Sequence, residues 1–278
     1  MKALLVILFA SAAFAQNWQP DISNAQFETR AFSGNLEAQL RASSPTWFGY
    51  AVKTTRRDHE SCCWNGSSRC GCSLEGNKAV TINGTRANNR VQLEGSEAIA
   101  VLFRVASNTV EKIEVYSLTC PLDAGGLPFV WLTGVPSDAS LSYLEKLVTA
   151  NPSKHSEDAA LFAISQHDDP RALDYLIRAA KADASPHIRS QALFWLAQKA
   201  GDRASSAITD AIQNDPDTEV KKHAVFALSQ LPHEDGVPKL IDVARSQRNP
   251  EVRKQAFFWL GQSKDPRALA FIEEVLTR

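Results

Sequence analysis

The feature that most constrains the fold of this chain is a repeat of 32 residues in its C-terminal half. The apolar segments "ALFAIS", "ALFWLA", "AVFALS" and "AFFWLG" follow one another at this spacing without a gap, beginning at Ala160, Ala192, Ala224 and Ala256. A second apolar column keeps the same spacing, and its members are Leu176, Ile208, Leu240 and Ile272. Each repeat therefore carries two apolar blocks.

The spacing of apolar residues within a block is typical of a helix. Ile188, Ala192 and Leu196 recur at i, i+4 and i+8, which is one face of a helix. Turn residues such as those of the Asp169-Pro170 pair separate the two blocks. The unit is predicted to be a helical hairpin, with copies at about 156–182, 187–214, 218–246 and 250–278. Residues 138–150 fit a lone second helix that caps the stack.

The starts of the first helices share a short motif. A proline or polar residue precedes "HIR", "EVK" or "EVR" at His187, Glu219 and Glu251, and an alanine with an aromatic-leucine block follows. In this pattern residues 137–278 resemble HEAT repeats, particularly the short type named after phycobilin lyases. The resemblance implies an α-α superhelix, a HEAT-like α-solenoid whose hairpins bury one another's apolar faces.

Two tryptophans stand out in the repeats. Trp195 and Trp259 occupy positions that hold Ala163 and Ala227 in the other copies. Because large and small side chains that alternate across layers fill a core, we predict that both tryptophans pack inside the stack. Ligand contact is the alternative, since aromatic side chains are enriched at binding hot spots.

A column of basic residues also recurs, at Arg189, Lys221 and Arg253. In HEAT repeats generally, a basic residue here ties one repeat to the acidic turn of its neighbour. This resemblance implies a structural ladder, and its candidate acidic partners are Asp183, Asp215 and Asp217.

Residues 16–136 have a different pattern. Alternating, β-branched and aromatic residues predict strands at 47–52, 79–82, 98–105 and 110–118, and residues 106–109 fit a hairpin turn. Leu36 and Leu40 indicate a short helix. We predict a small α+β domain with an antiparallel sheet.

The first 15 residues have the features of a secretory signal peptide. Lys2 supplies a positive start, an apolar run follows, and Ala13-Phe14-Ala15 offers a cleavage site. The run is shorter than the roughly 20 residues that a spanning helix needs. The chain is therefore expected to be exported, periplasmic or secreted, without stable membrane insertion after cleavage.

All five cysteines precede the repeats: Cys62, Cys63, Cys70, Cys72 and Cys120. Outside the cytoplasm such a cluster more often forms disulfides than free thiols, and its connectivity stays open. The alternative is a metal site, for which the candidate ligands are His59, Cys62, Cys63, Cys70 and Cys72. Their spacing matches no standard zinc motif.

The charge balance and the absence of catalytic motifs exclude several classes of function. The 30 basic and 31 acidic residues are balanced and form no basic stripe, so we expect no nucleic-acid partner. The sequence contains no phosphate-binding loop and no motif that joins a nucleophile to an acid or a base. We therefore predict neither catalysis nor a cofactor. The expected function is a non-catalytic scaffold that binds another protein. A metal or redox sensor is an alternative, and a tetrapyrrole (bilin) lyase is implied by the resemblance alone.

Overall fold

The computed structural model describes residues 18–54, 62, 71–76, 79–80, 97–150, 154–199 and 201–277. Within them, a strand-rich part with one short helix is followed by a helical part that starts at Ser137. The predicted signal peptide, residues 1–15, lies outside the described residues.

The strand-rich part contains two sheets and helix α1 (Leu36–Gln39). Its strands are β1 (Asp21–Ser23), β2 (Gln26–Ala31), β3 (Thr46–Lys53), β4 (Gly71–Ser73), β5 (Ala79–Val80), β6 (Ala98–Ala106), β7 (Thr109–Ser117), β8 (Pro121–Asp123) and β9 (Pro128–Thr133). The smaller sheet has the order β1-β8-β4-β5, and the larger has the order β2-β9-β3-β6-β7.

Both sheets are mixed, which corrects the predicted antiparallel sheet. Strands β3, β6 and β7 are antiparallel neighbours, whereas β9 pairs in parallel with β2 and β3, and β8 pairs in parallel with β1 and β4. Parallel neighbours are joined by long connections, which local alternation does not reveal. The hairpin between β6 and β7 forms as predicted, and its central residues Ser107 and Asn108 have φ values of 51° and 57°, as a type I′ turn requires.

The helical part confirms the predicted hairpin repeats. Its helices are α2 (Ser137–Ala150), α3 (Lys154–Gln166), α4 (Pro170–Ala182), α5 (Pro186–Lys199), α6 (Asp202–Asn214), α7 (Thr218–Ser229), α8 (His233–Ser246), α9 (Pro250–Gln262) and α10 (Pro266–Leu276). Side chains of Asp169, Asp217, Asn249 and Asp265 accept hydrogen bonds from the first backbone N–H groups of α4, α7, α9 and α10. Such caps satisfy donors that a helix start leaves unpaired.

Two apolar cores hold these layers together. One, which includes Trp47, Leu122 and Trp131, lies between the two sheets. The other joins Tyr50 and Phe103 of the larger sheet to the apolar faces of the helices without a break. The larger sheet therefore packs directly on the start of the helical stack.

Candidate interaction surface

The apolar columns predicted from the repeat differ in burial. Ala160, Ala192, Ala224, Ala256, Leu176, Ile208 and Leu240 are buried, whereas Ile272, Trp195 and Trp259 are partly buried against the core. Ala163 and Ala227, the counterparts of the tryptophans, are fully buried. Because closely packed helices leave little room for an indole at this position, the two tryptophans lie at the edge of the core and not inside it.

Six rings form a continuous row along the first helices of the hairpins. We call it the aromatic row, and its members are Phe162, Phe194, Trp195, Phe226, Phe258 and Trp259. Each ring contacts the next, with centroids 4.8 to 6.2 Å apart. Every member is at least partly exposed, and Phe258 is 53% exposed. Contiguous exposed apolar surface of this kind marks interaction sites in soluble proteins.

A column of glutamines ends the same helices, and sequence reasoning missed it although it obeys the 32-residue spacing. Gln166 and Gln230 donate hydrogen bonds to the preceding residues, Ser165 and Ser229, at 3.0 and 3.1 Å. Gln198 and Gln262 follow Ala197 and Gly261, which have no hydroxyl group. Both amides are exposed and have no hydrogen-bond partner among the described residues.

The two hairpins with an unpaired glutamine amide also contain an indole N–H group without a hydrogen-bond partner among the described residues. The Nε1 atoms of Trp195 and Trp259 are buried and lack an acceptor within the described part of the chain. A buried donor without a partner costs roughly 1–3 kcal/mol. Gln198 and Gln262 follow these tryptophans by three residues, a spacing at which two side chains share a helix face.

An open groove of about 860 Å³ lies on the second helices, between α4 and α6. Its apolar floor contains Ile177, Ala180, Ala207 and Ala211, and its rim includes Lys181, Asp202, Arg203 and Asp210. We call it the second-helix groove. Arg203 pairs with Asp174 at 2.6 Å, and Lys181 lies 3.9 Å from Asp210. The groove therefore combines an apolar floor with charges of both signs.

Arg189, the first of the three recurring basic residues, forms an ion pair with an acidic side chain. Arg189 makes two hydrogen bonds to the Asp215 carboxylate, at 2.7 and 3.0 Å, and a third to the Asp183 carbonyl. Lys221 instead donates to the carbonyl of Gln213, and Arg253 to that of Gln247. Of the three recurring basic residues, Arg189 thus forms a buried ion pair, whereas Lys221 and Arg253 make weaker hydrogen bonds to backbone carbonyl groups.

A buried chain of hydrogen bonds links the sheet to the helices. The His167 Nδ1 atom lies 2.8 Å from the Ala163 carbonyl, so Nδ1–H donates and Nε2 accepts from the Ser140 hydroxyl, also at 2.8 Å. Ser140 in turn accepts from the Tyr50 hydroxyl at 2.8 Å. The pKa of His167 is lowered to about 4, chiefly by burial. A neutral imidazole fits this direction of donation.

A serine bonded to a histidine is the arrangement of a nucleophile and its base, and sequence reasoning did not bring these residues together. Ser140, His167 and Tyr50 are each 0% exposed. No substrate can reach them in this conformation. The pair therefore acts as a structural contact.

Backbone contacts strengthen the same junction. Thr54, just after β3, forms an isolated antiparallel bridge with His167. The Asp168 N–H donates to the Lys53 carbonyl at 2.9 Å, and Lys199 Nζ donates to the His167 carbonyl at 2.9 Å. The end of β3 is thereby tied to the turn between α3 and α4.

The described cysteines are oxidised. Cys62 and Cys120 form a disulfide, with their Cα atoms 5.6 Å apart, and Cys72 is also disulfide-bonded. Of the candidate metal ligands, His59, Cys63 and Cys70 lie outside the described residues. A disulfide sulfur is not a thiolate ligand, so Cys62 and Cys72 cannot serve a metal in this form.

We expect non-reducing digestion of the purified protein to release a product in which the peptide that contains Cys62 is joined to the peptide that contains Cys120. The pairing follows from the distance between the two residues in the fold. Mass spectrometry before and after reduction measures it. Recovery of both cysteines in unlinked peptides from a sample alkylated before digestion would contradict it.

The described residues contain no group of three or more His, Cys, Asp or Glu side chains placed to hold a metal ion. In the same part of the chain, no helix has both the length and the apolar character needed to cross a membrane.

Comparison with known proteins identifies the repeats in the second half of the helical part. Residues 205–278 match the family model for HEAT repeats. No curated protein matches the chain. Among solved structures, the chain is similar to one in the complex of CpcE and CpcF of phycocyanin lyase from Nostoc sp. PCC7120. That match has 22% identity and a TM-score of 0.33, and it covers 46% of this chain and 88% of the other.

Proposed function

We propose that this chain is an exported, non-catalytic scaffold that presents its HEAT-like repeats to another protein. The observation that carries the proposal is the pair of surfaces on the stack, the aromatic row and the second-helix groove. Stacked helical hairpins bind partners through such extended surfaces. The predicted signal peptide supports export.

The chemistry of the described residues favours binding over catalysis. Among the described residues, the contact between Ser140 and His167 is buried inside the junction between the sheet and the helices. The exposed surfaces carry rings, amides and paired charges, which are recognition groups. The similarity to the phycocyanin lyase complex is too distant to support a second proposal, and the lyase and sensor alternatives stay predictions.

Site-specific crosslinking in the native host tests the proposal. A photoreactive residue at Ser206, in the second-helix groove, or at Gln198, beside the aromatic row, is expected to capture a partner protein. The matched control carries the same group at Thr29, an exposed residue of the edge strand β2. Capture from Thr29 with none from either repeat position would overturn the proposal.

A further inference from the structure

Strand β2 forms one edge of the larger sheet, and among the described residues no strand lies on its outer side. All six of its residues, Gln26–Ala31, are exposed, and Phe27 is 43% exposed. Natural proteins protect such edges with a proline, a bulge, a very short strand or charged side chains. β2 contains no proline and pairs with β9 in an unbroken register. Its backbone is therefore open to a further strand.

The outward backbone groups of this edge belong to alternate residues. The N–H groups of Gln26 and Phe32 donate to carbonyl groups of β9 and of the residue before it, at 3.1 and 2.9 Å. Successive residues of a strand direct their N–H and C=O groups toward opposite edges, so the even-numbered residues bond to β9. The N–H and C=O groups of Phe27, Thr29 and Ala31 therefore point away from the sheet.

We infer that β2 pairs in antiparallel fashion with β2 of a second copy of this chain, about a twofold axis at Thr29. In this register Thr29 faces Thr29 of the second copy, and Phe27 faces Ala31. Residues of this kind form hydrogen-bonded pairs, in which each exchanges both of its backbone bonds with the residue opposite. The outward N–H and C=O groups of all three residues thus gain partners. A twofold interface uses the same surface of both copies, and the two larger sheets become continuous.

The charges on β2 select this register. Glu28 and Arg30 lie on one face of the strand, and Arg30 donates to the Glu28 carboxylate at 3.1 Å. With the axis at Thr29, Glu28 of each copy lies opposite Arg30 of the other. Moving the axis by one residue in either direction places Glu28 opposite Glu28 or Arg30 opposite Arg30. Opposite charges stabilise a cross-strand pair and like charges destabilise it, so this edge complements itself in one register.

The other face of β2 agrees with this pairing. Phe27 stacks on the buried ring of Phe129, with ring centroids 5.7 Å apart. The residue opposite Phe27 in the second copy is Ala31, whose small side chain leaves room for the ring. Pairing therefore removes part of the exposed apolar surface of Phe27 from water, which favours association.

Sedimentation velocity of the purified protein over a range of concentrations tests the inference. We expect a reversible equilibrium between monomer and dimer, and a weak one, because an edge contact of six residues on each side is small for a stable interface. Glu28→Arg and Arg30→Glu should each weaken dimerisation at least about tenfold, because two like-charge pairs replace two opposite-charge pairs. An equimolar mixture of the two variants should recover the dimer, since each residue then faces the opposite charge. The double variant E28R/R30E should dimerise like the native chain.

A second variant tests the backbone contact. Thr29→Pro removes an outward N–H group and no bond to β9, and proline is tolerated on an edge strand at such a position. It should abolish the dimer, whereas its matched control, Thr29→Ala, should keep it. Circular dichroism checks that each variant is folded, and the charge exchange decides the question even if Thr29→Pro does not fold.

Four results would each overturn the inference. They are a monomer at every concentration, unchanged association of either single charge variant, no recovery in the mixture, and dimerisation of folded Thr29→Pro. The dimer contains this chain alone. A crosslink from Thr29 to a second copy therefore concerns this inference, and the scaffold proposal is decided by capture of a different protein.

Discussion

Replacing Arg189 with methionine is expected to lower the free energy of unfolding by about 3–5 kcal/mol, the usual result of breaking a buried ion pair. The side chains of Arg189 and Asp215 are 8% and 3% exposed. Without the guanidinium, the Asp215 carboxylate keeps its burial and loses its charge partner. The Asp183 carbonyl loses a donor as well.

The repeat supplies a matched control at Arg253, two hairpins further on. This side chain is exposed and reaches the Gln247 carbonyl at 3.4 Å. Arg253→Met is expected to cost less than about 1 kcal/mol, as exposed charge contacts usually do. Urea unfolding followed by circular dichroism measures both variants. Equal losses from the two substitutions would show that the buried ion pair between α5 and the end of α6 contributes no more to stability than an exposed contact does.

Acidification from pH 7 to pH 4 is expected to destabilise the protein by on the order of 3 kcal/mol through His167 alone. Burial lowers the pKa of this group in the fold from 6.5 to about 4, and each unit corresponds to about 1.4 kcal/mol. The unfolded chain binds the proton below pH 6.5 and the folded chain does not. This contribution is therefore complete above pH 6.5 and is lost as the pH falls toward 4.

The surroundings of His167 explain why protonation is unfavourable. A protonated Nε2 would turn the Ser140 hydroxyl toward Tyr50, whose own hydroxyl has no other partner among the described residues. Burial is the largest cause of the lowered pKa; the hydrogen bond to the Ala163 carbonyl and the charge of Asp169 raise the pKa, and the charges of Lys199 and Arg171 lower it further.

The measurement compares the pH dependence of unfolding in the native chain and in His167→Gln. Glutamine keeps an acceptor for Ser140 and cannot titrate, so the difference between the two profiles isolates this one group. His223→Gln, at an exposed position of α7, is the matched control for exchanging a histidine for glutamine. Parallel profiles for the native chain and His167→Gln would refute the assignment.

Local sequence patterns predicted the helical part well because the repeat shows the same pattern four times. Ala160 and its counterparts are buried at the same position in every hairpin. Side-chain caps such as Asp265 mark where α4, α7, α9 and α10 begin. The tryptophans were harder to place. A 32-residue column shows that Trp195 replaces an alanine, but whether an indole lies inside or at the edge depends on the distance between the helices.

The candidate surface was only partly visible in the sequence. The aromatic and glutamine columns repeat at the same interval as the core, so spacing alone could have shown them. Which glutamines are unpaired depends on the residue before each one, serine or alanine and glycine, and on three-dimensional contacts. The groove between α4 and α6 has no sequence signature, because it arises from the gap between two helices.

The sequence by itself determined the helical hairpins, their order and the residues that each turns toward its neighbour. These features follow from contacts between residues that are close in the chain or one repeat apart. The tertiary structure alone decided the parallel pairing of β9 with β2 and β3, the Cys62–Cys120 bond and the Tyr50–Ser140–His167 chain. Their partners lie far apart in sequence, and no local periodicity specifies which distant segments meet.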